Sequence, residues 1–327
     1  MKAIVLHEHG GPEALRYEEV DRPSAGPGEL LVRVHAVSVN QTLDLGIRQN
    51  GAGFKLDFPV ILGIDSGGEV EEVGDGVDGF APGDRVTSIL RPPIGGSYAD
   101  YVLVRPTHTY HIPDGVSWTL ATAVSRHFPM AYSLCRSADV KEGQWVLVMG
   151  AAGALGAAAV QTARHRGAHV IAAAGTDERA QSAMPLGAEA WVNYRKSGLV
   201  DEVRRLTDGK GVDVVLENIG DPGLWPEAFD SLKTGGTLTT VGAHGGPGKV
   251  TLDLRRLYRD DLTVRGGLHQ DLPGDSDDAL ALAAAGVYSA AIHSVRPLSE
   301  AAEAHRIAGE RGIYGKVFMD PTLDPAS

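Results

Sequence analysis

The first 120 residues alternate between short apolar segments and turns. Glu29–Val39 (ELLVRVHAVSV) alternates apolar and polar residues along much of its length, which is the pattern of a half-buried strand. Lys2–Leu6 and Gly68–Val73 have the length and composition of further short strands. Turns such as Pro27-Gly28 and Pro82-Gly83-Asp84 punctuate this part of the chain. Many short strands joined by such turns predict a small, barrel-like β-domain.

From Ser117 onward, helical patterns alternate with apolar strands. Ser117 suits the cap of a helix over Trp118–Val124, and Pro129 suits the first turn of a second helix. The strands predicted after them are Trp145–Met149, His169–Ala173, Ala190–Val192, Val212–Leu216 and Thr237–Val241. The helices predicted between them are Leu155–Arg166, Glu178–Leu186, Leu199–Leu206 and Pro226–Leu232. This alternation predicts parallel strands with crossover helices, and therefore a doubly wound α/β sheet.

The alternation ends after Leu262–Arg265. Asp277–Ala285 and Ser299–Ala308 are predicted helices, Val295–Pro297 is extended, and Gly315–Met319 is a predicted final strand. We expect this tail to return to the first domain. The predicted division is therefore a β-rich domain over residues 1–122, a doubly wound domain over 123–267, and a returning segment over 268–327. A chain of 327 residues is long enough for two such cores.

Charge and composition narrow the class of ligand. The formal net charge is −12, and a field of that sign repels polyphosphates, so a nucleic-acid partner is not expected. The chain has one cysteine, Cys135, which excludes an intrachain disulfide. No apolar run approaches the roughly 20 residues of a membrane-spanning helix, and the first residues lack a signal-peptide core. We expect a cytoplasmic protein that acts on a small molecule.

A glycine-rich turn joins the predicted strand Trp145–Met149 to the next helix. Glycine lets the backbone bend and approach a pyrophosphate, while the helix N-terminus presents free N–H groups and the positive end of its dipole. The position of the turn between a strand and a helix, with βα units behind it, favours a dinucleotide site over a turn that merely packs tightly. The residues of this predicted site are Gly150, Ala151, Ala152, Gly153, Ala154, Leu155 and Gly156.

The end of the second predicted strand indicates which dinucleotide is bound. An NAD site usually has an acidic residue there for the ribose 2′-hydroxyl. In this chain the strand ends in Gly175, with Thr176 and Arg179 after it and Tyr194 further on. A small residue, a hydroxyl and a guanidinium suit a 2′-phosphate, so we predict NADPH. Asp177 argues for NAD if its carboxylate faces the ribose, and Arg179 is also compatible with a solvated helix position.

These motifs resemble those of the medium-chain dehydrogenase/reductase superfamily, and specifically its zinc-free quinone oxidoreductase branch. The resemblance implies a GroES-like catalytic domain made of both chain ends around a central Rossmann domain, with a cleft where nicotinamide meets substrate. It also implies homodimers. The segments that carry it span nearly the whole chain and are Gly63–Val86, Val140–Tyr194, Gly211–Gly220 with Gly235–Gly245, and Tyr314–Met319.

The resemblance also implies which loops lie near the nicotinamide and the domain junction. These are the loops after the fourth and fifth strands of the doubly wound sheet and the segment in which the chain leaves it. For the two histidines among them, a plain loop position is an equally good interpretation. The residues are Asn218, Gly242, Ala243, His244, Gly267, Leu268 and His269.

Zinc-containing members of the superfamily carry metal ligands at set landmarks, namely a cysteine, a histidine with an adjacent glutamate, and a second cysteine or an aspartate. The matching positions here are Asn40, Ile64 with Asp65, and Arg126. An amide, an alkyl group and a guanidinium are not zinc ligands, so we predict no catalytic metal. Plain alcohol oxidation is then a weaker expectation, because no Lewis acid polarises the oxygen.

A metal-free site with NADPH suits hydride delivery to a carbon that is already electrophilic, such as that of a quinone or an α,β-unsaturated carbonyl. The predicted function is therefore an NADPH-dependent, metal-independent quinone or enone reductase. Two alternatives stay open: an NADPH-dependent ketone or aldehyde reductase that uses His127 in place of the metal, and a cofactor-binding protein without turnover.

Asn40 and Asp44 are two candidates for the chemistry. Asn40 follows the strand Glu29–Val39, and its amide can hydrogen-bond substrate or the nicotinamide ribose. The alternative is an asparagine that caps the turn into the next helix. Many quinone reductase relatives carry a tyrosine nearby, but Leu45 stands near the expected position, so Asp44 is the second candidate. A surface or helix-start aspartate is the alternative for Asp44.

Arg126 and His127 are the other two candidates. Relatives usually have an apolar stretch at this point, so two polar groups here predict a more polar or anionic substrate. Arg126 suits a carboxylate or an enolate, and His127 suits a proton donor near neutral pH. The alternative is a hydrogen-bonded pair at a helix junction.

Overall fold

A computed structural model describes residues 1–90, 95–196, 198–243, 246–267, 272–310 and 313–324. The chain divides into two compact units. The first unit comprises Met1–Arg126 together with Ser276–Ser327, and the second comprises His127–Asp275. Both ends of the chain therefore belong to one unit, and the middle of the chain forms the other.

The described secondary structure before the glycine turn is mostly short strands. The strands are β1 (Lys2–Leu6), β2 (Leu15–Glu19), β3 (Leu30–Ser38), β4 (Val60–Ile61), β5 (Asp65–Val73), β6 (Arg85–Ile89), β7 (Tyr101–Val104), β8 (Thr109–His111) and β9 (Trp145–Met149). The helices are α1 (Leu43–Asn50) and α2 (Trp118–Ser137).

After β9, helices and strands alternate before the chain returns to the first unit. The helices are α3 (Ala154–His165), α4 (Asp177–Gln181), α5 (Leu199–Leu206), α6 (Leu224–Asp230), α7 (Leu254–Arg259), α8 (Asp275–Ala284) and α9 (Ala301–Gly309). The strands are β10 (His169–Ala174), β11 (Ala190–Asn193), β12 (Val212–Glu217), β13 (Leu232–Thr240), β14 (Thr263–Gly266), β15 (Ile292–Pro297) and β16 (Lys316–Asp320).

The first unit is built around β3, whose residues Leu30, Val32 and Val34 are fully buried. A seven-stranded sheet has the order β15-β16-β3-β5-β6-β8, with β7 also paired to β3, and a smaller sheet has the order β2-β1-β4. Strand β16 runs antiparallel to β3, with Phe318 opposite Ser38. Because the strands are antiparallel, two residues before Phe318 and two residues after Ser38 the same register brings Lys316 beside Asn40.

The second unit is a six-stranded parallel sheet of order β11-β10-β9-β12-β13-β14. Its central strand β9 is buried from Val146 to Met149, because helices cover both faces of such a sheet. The strand order reverses at β9, where β10 lies on one side and β12 on the other. Ligands of doubly wound folds bind outside the carboxyl ends of the strands at this switch point. The glycine turn after β9 lies there.

One sequence prediction about α2 is wrong. We predicted two helices, the second beginning near Pro129, but Trp118–Ser137 is a single helix with Pro129 inside it. A proline in a helix removes one backbone hydrogen bond and is usually disruptive. Here buried apolar side chains lie on both sides of it, among them Val124, Phe128 and Leu134. Tertiary packing has overridden the local preference.

A second difference is the predicted helix Glu178–Leu186. It is divided into the short helix α4 and a separate 3₁₀ turn over Met184–Leu186, which has Pro185 in its first turn. Proline cannot donate the hydrogen bond that would continue α4. No helix within the described ranges has the length and apolar character needed to span a membrane.

Candidate functional site

The glycine turn after β9 folds back on itself so tightly that side chains are excluded. Gly150 has φ +65°, and a Cβ on it would lie 2.5 Å from Asn218 Oδ1. A Cβ on Gly156 would lie 2.1 Å from the carbonyl oxygen of Gly150. Glycine is therefore required at both positions by the protein itself.

Gly153 is glycine for a different reason. It is the N-cap of α3, and a Cβ there would meet its nearest atom, the oxygen of Gly150, at an ordinary 3.4 Å. The amides of Ala154, Leu155 and Gly156 donate to no acceptor in the described part of the chain. The free amides at the N-terminus of α3, beside a glycine that has no side chain, are able to donate hydrogen bonds to a phosphate.

Polar side chains lie close to the backbone at the end of β10. A Cβ on Gly175 would lie 3.2 Å from Arg195 Nε and 3.3 Å from the Tyr194 hydroxyl oxygen, so the glycine lets both groups approach the backbone closely. Thr176 caps α4 by accepting the Arg179 N–H at 3.3 Å. Arg195 and Arg179 both act electrostatically on Tyr194, where they oppose the increase in pKa that burial causes. We named Tyr194, Thr176 and Arg179 from the sequence but did not select Arg195, although it is adjacent to Tyr194.

Asp177, the residue that would favour NAD, forms hydrogen bonds within the protein. Its carboxylate accepts hydrogen bonds from Lys196 and from Asn193 Nδ2, the latter at 2.6 Å. The Lys196 hydrogen bond, followed by that of Asn193, lowers the pKa of Asp177 below its ordinary value. The carboxylate of Asp177 is thus paired with Asn193 of β11 and with Lys196 of the turn after that strand.

The loops after β12 and β13 pack backbone against backbone. A Cβ on Gly242 would lie 2.1 Å from the carbonyl oxygen of Asn218. Buried Glu217 holds the loop, because its carboxylate accepts the amides of Ile219 and Gly220 at 2.7 and 2.8 Å. Sequence reasoning named Asn218 and Gly242 and missed Glu217, which no local motif singles out.

The structure describes only some of the other residues predicted near the nicotinamide and the domain junction. A Cβ on Gly267 would lie 2.6 Å from Thr239 Cγ2, so this glycine is needed for close packing. Ala243 is exposed. The predicted residues His244, Leu268 and His269 lie outside the described residues.

A separate polar cluster occupies the interior of the first unit around Asn40, which is 8% exposed. Asn40 Nδ2 lies 3.0 Å from Asp65 Oδ2 and 3.2 Å from Ser38 Oγ. Asn40 Oδ1 accepts a hydrogen bond from Lys316 Nζ at 2.9 Å. Ser38 in turn donates its backbone N–H and its hydroxyl to Asp65. Both ends of the Asn40 amide are used inside the protein, and its side chain does not cap α1.

Asp44 is a helix-start residue, but it lies in the core. Its Oδ2 accepts the backbone N–H of Asn40 at 2.7 Å and the hydroxyl of Tyr98 at 3.1 Å. Among the described residues, its Oδ1 has no hydrogen-bond partner. Burial raises the pKa of Asp44 to about 6. Asn40 and Asp44 thus belong to one hydrogen-bond network. They are two of the four residues that the sequence predicted as catalytic candidates.

The network continues through residues that the sequence did not single out. Arg48 Nε donates to His305 Nδ1 at 3.2 Å. Since a guanidinium only donates, His305 Nδ1 must accept, and its proton lies on Nε2. Nε2 then donates to the Tyr98 oxygen at 3.1 Å, and Tyr98 donates to Asp44. Burial lowers the pKa of His305 to about 3, which keeps its ring neutral.

Arg126 and His127 are consecutive, half-buried residues of α2. The division of the chain falls between them, with Arg126 in the first unit and His127 in the second. The positive charge of Arg126 acts on Lys316. Arg126 is therefore electrostatically connected to the Asn40 cluster, and the role predicted for His127 stays a prediction.

The comparisons with known proteins place this chain among dehydrogenases and reductases. Residues 26–114 match the alcohol dehydrogenase GroES-like domain, and residues 154–285 match the zinc-binding dehydrogenase family. The chain is 33% identical to a 2-haloacrylate reductase from Burkholderia sp, over 98% of each chain. A solved NAD-dependent alcohol dehydrogenase has 32% identity and TM-score 0.89, with 98% of this chain and 99% of that one covered.

The quinone oxidoreductase of Escherichia coli, solved in complex with NADPH, has 30% identity and TM-score 0.85, with coverage of 98% and 100%. The chain belongs to the medium-chain dehydrogenase/reductase superfamily, and within it to the quinone oxidoreductase-like branch. The predicted fold class, a GroES-like β-rich domain with a doubly wound Rossmann domain, is confirmed.

The zinc named in the family description does not fit the residues present. Asn40 and Asp65, at two of the zinc landmarks, lie together, but the third polar group of the cluster is the Lys316 side chain. An amide and an ammonium next to one carboxylate do not make a zinc donor set. In the described ranges, no group of three or more His, Cys, Asp or Glu side chains is placed to hold a metal ion.

Proposed function

We propose that this protein is an NADPH-dependent, metal-independent reductase that transfers a hydride to a quinone or an α,β-unsaturated carbonyl compound. The observation that carries the proposal is the arrangement at Gly175, where Arg195 and Tyr194 border the end of β10 while Asp177 is paired with Lys196. NAD sites usually have a carboxylate at the end of this strand, where this chain has glycine. A guanidinium beside that glycine favours a 2′-phosphate over a ribose hydroxyl.

The geometry supports a set of contacts to the cofactor. The free amides of Ala154, Leu155 and Gly156 would bind its diphosphate. Arg195, with Arg179 and Tyr194, would bind the 2′-phosphate through charge-assisted hydrogen bonds. When bound, the cofactor supplies the hydride and this chain supplies orientation and electrostatics.

The Asn40 cluster supports the proposed substrate class. Without a zinc donor set, the protein has no Lewis acid at this position to polarise an isolated carbonyl. An acceptor whose carbonyl is conjugated to an alkene, or forms part of a quinone ring, spreads the developing charge onto oxygen. The substrates named for the similar 2-haloacrylate reductase and quinone oxidoreductase are conjugated in this way.

We also propose a homodimer as the active form. Strand β14 is at the end of its sheet. Leu254 and Tyr258, one helical turn apart on α7, are 66% and 75% exposed. Exposed apolar side chains close to the sheet end in sequence support an interface between two copies.

The experiment has two stages. Fluorescence titration with NADPH and with NADH measures binding, and we expect tighter binding of NADPH. Oxidation of the bound cofactor is then followed with a quinone, an enone, a simple ketone and an aldehyde, and we expect turnover with the first two. Binding without turnover on this panel would instead favour a cofactor-binding role.

A second candidate is an alcohol dehydrogenase or carbonyl reductase that uses NADH. The similarity to a structure described as an NAD-dependent alcohol dehydrogenase favours it. Tighter NADH binding together with turnover of the simple ketone would select this candidate and contradict our proposal.

A further inference from the structure

Lys316 is a buried ammonium group whose hydrogen-bonding capacity is largely unused. The residue is 9% exposed, and Nζ donates to Asn40 Oδ1 at 2.9 Å. Within the described residues Nζ has no other hydrogen bond and no ion pair, although an ammonium has three protons to donate. Leaving two charged N–H donors unpaired in a buried position is costly. Such a group is typical of a site that binds a ligand.

Asn40 fixes the direction of this ammonium. Its Nδ2 is held by Asp65 and Ser38, so the amide cannot rotate, and Oδ1 must face Lys316. The amide therefore acts as a support for the lysine. This changes our interpretation of Asn40, which the sequence suggested as a direct hydrogen-bond partner of the substrate.

The charges around Lys316 adjust its acidity. Burial lowers the pKa of Lys316 to about 8, and Arg126 adds to this effect. Asp65 and Asp44 oppose it. An ammonium whose pKa lies close to the working pH is protonated at neutrality and yet gives up a proton far more readily than an ordinary lysine.

We propose that Lys316 is the proton donor of the reduction, and that its free N–H groups bind the carbonyl oxygen of the quinone or enone. This inference rests on the proposed function. As the hydride reaches the conjugated carbon, the electron pair of the C=C bond moves toward the carbonyl oxygen. One Lys316 N–H bond breaks and an O–H bond forms, which gives an enol or, with a quinone, a hydroxydienone that tautomerises to the hydroquinone.

The proton and charge balance of this step is simple. Lys316 begins as an ammonium and ends as a neutral amine, while the developing negative charge on the substrate oxygen is neutralised. Water then returns a proton to the amine. The ammonium thus supplies, next to Asn40 and Asp65, the positive charge that a metal would supply to a carbonyl oxygen.

The first test compares three variants by turnover. Lys316→Met removes the proton and the charge, so kcat should fall on the order of 10²- to 10⁴-fold. Lys316→Arg keeps the charge and the bond to Asn40 but does not release a proton in this pH range, so KM should stay near its original value while kcat stays low. Lys141→Met, at an exposed lysine paired with Asp139, is the control and should change nothing.

The pH profile separates a proton donor from a structural lysine. In the unaltered protein kcat should fall as pH rises above about 8, where Lys316 loses its proton. Both Lys316 variants should lack this decrease. If Lys316→Arg restores kcat together with the original pH profile, or if Lys316→Met turns over normally, the inference is wrong. If the unaltered protein oxidises NADPH with neither quinone nor enone, the proposed function itself has failed.

A second measurement needs no turnover. In protein labelled with ¹³C at the lysine Cε positions, the signal missing from Lys316→Met identifies Lys316. Its titration in the unliganded protein should have a midpoint near 8, against the ordinary lysine value of 10.5. A midpoint at the ordinary value would contradict the inference.

Discussion

Tyr98 donates its hydroxyl proton to Asp44 across 3.1 Å, and both side chains are fully buried. The same hydroxyl oxygen accepts a proton from His305, whose other ring nitrogen accepts from Arg48. The direction of every bond in this series follows from the guanidinium, which cannot accept. The network connects α1, α9 and the segment between β6 and β7, and it reaches Asn40 through Asp44, which accepts the backbone N–H of Asn40.

We predict that Tyr98→Phe destabilises the first unit. The substitution removes one of the donors to Asp44, which keeps the backbone N–H of Asn40, and it leaves the buried Nε2–H of His305 without its acceptor. The expected loss in free energy of unfolding is about 1–3 kcal/mol, the usual cost of one unsatisfied buried group. Urea denaturation measures it. Tyr101→Phe, at a ring that packs against Arg22, is the matched control and should be neutral. An unchanged midpoint for Tyr98→Phe would contradict the network.

We predict a pH-dependent effect of Asp44→Asn on stability. Burial raises the pKa of Asp44 from 3.8 to about 6 in the folded protein. Between these values the folded protein binds the proton more tightly than the unfolded chain, so the contribution of Asp44 to stability is lost as pH rises. Two pKa units correspond to about 3 kcal/mol. Asn lacks this titration and keeps one oxygen that can accept the hydrogen bonds now made to Oδ2.

The measurement for Asp44 is the difference in unfolding free energy between the two proteins at several pH values. This difference should be small near pH 4 and should favour Asp44→Asn progressively up to about pH 6 and above. A difference that does not vary with pH would mean that Asp44 titrates normally. Comparing the two proteins at each pH cancels the titration of the other groups, including His305.

The sequence predicted those features that a short segment determines. The glycine turn, the helix Leu199–Leu206 and the parallel sheet are local patterns, and they were predicted correctly. Lys316, by contrast, is separated from Asn40 by 276 positions along the chain, and His305 from Arg48 by 257. Nothing in the periodicity near either residue indicates its partner, because strand register brings them together only after folding.

We predict that Arg195 determines the preference for NADPH. Arg195→Ala removes a guanidinium from the space beside Gly175. A charge-assisted hydrogen bond contributes about 1.5–3 kcal/mol, so NADPH should bind on the order of 10- to 100-fold more weakly, while NADH binding should stay the same. Fluorescence titration with both cofactors measures this. Arg205→Ala, which breaks an exposed ion pair with Glu202 on α5, is the control. Equal weakening of both cofactors would place Arg195 away from the 2′-phosphate.

We predict that two glycines of the turn respond differently to alanine. In Gly156→Ala the new Cβ would lie 2.1 Å from the Gly150 oxygen, so the backbone must move and the melting temperature should fall by several degrees. In Gly153→Ala the nearest atom is 3.4 Å away, so the fold should remain intact. The added methyl group would instead stand over the free amides of α3, where the diphosphate would bind.

Thermal unfolding and NADPH titration of both variants distinguish these effects. Gly153→Ala should keep the original melting temperature and bind NADPH at least tenfold more weakly, because the backbone can no longer approach the phosphates closely. Gly28→Ala is a useful strain control, since its φ is +77° with no atom within 4 Å, and it should lower stability without affecting NADPH binding. If Gly153→Ala bound NADPH as tightly as the unaltered protein, the diphosphate would have to lie elsewhere than at the N-terminus of α3.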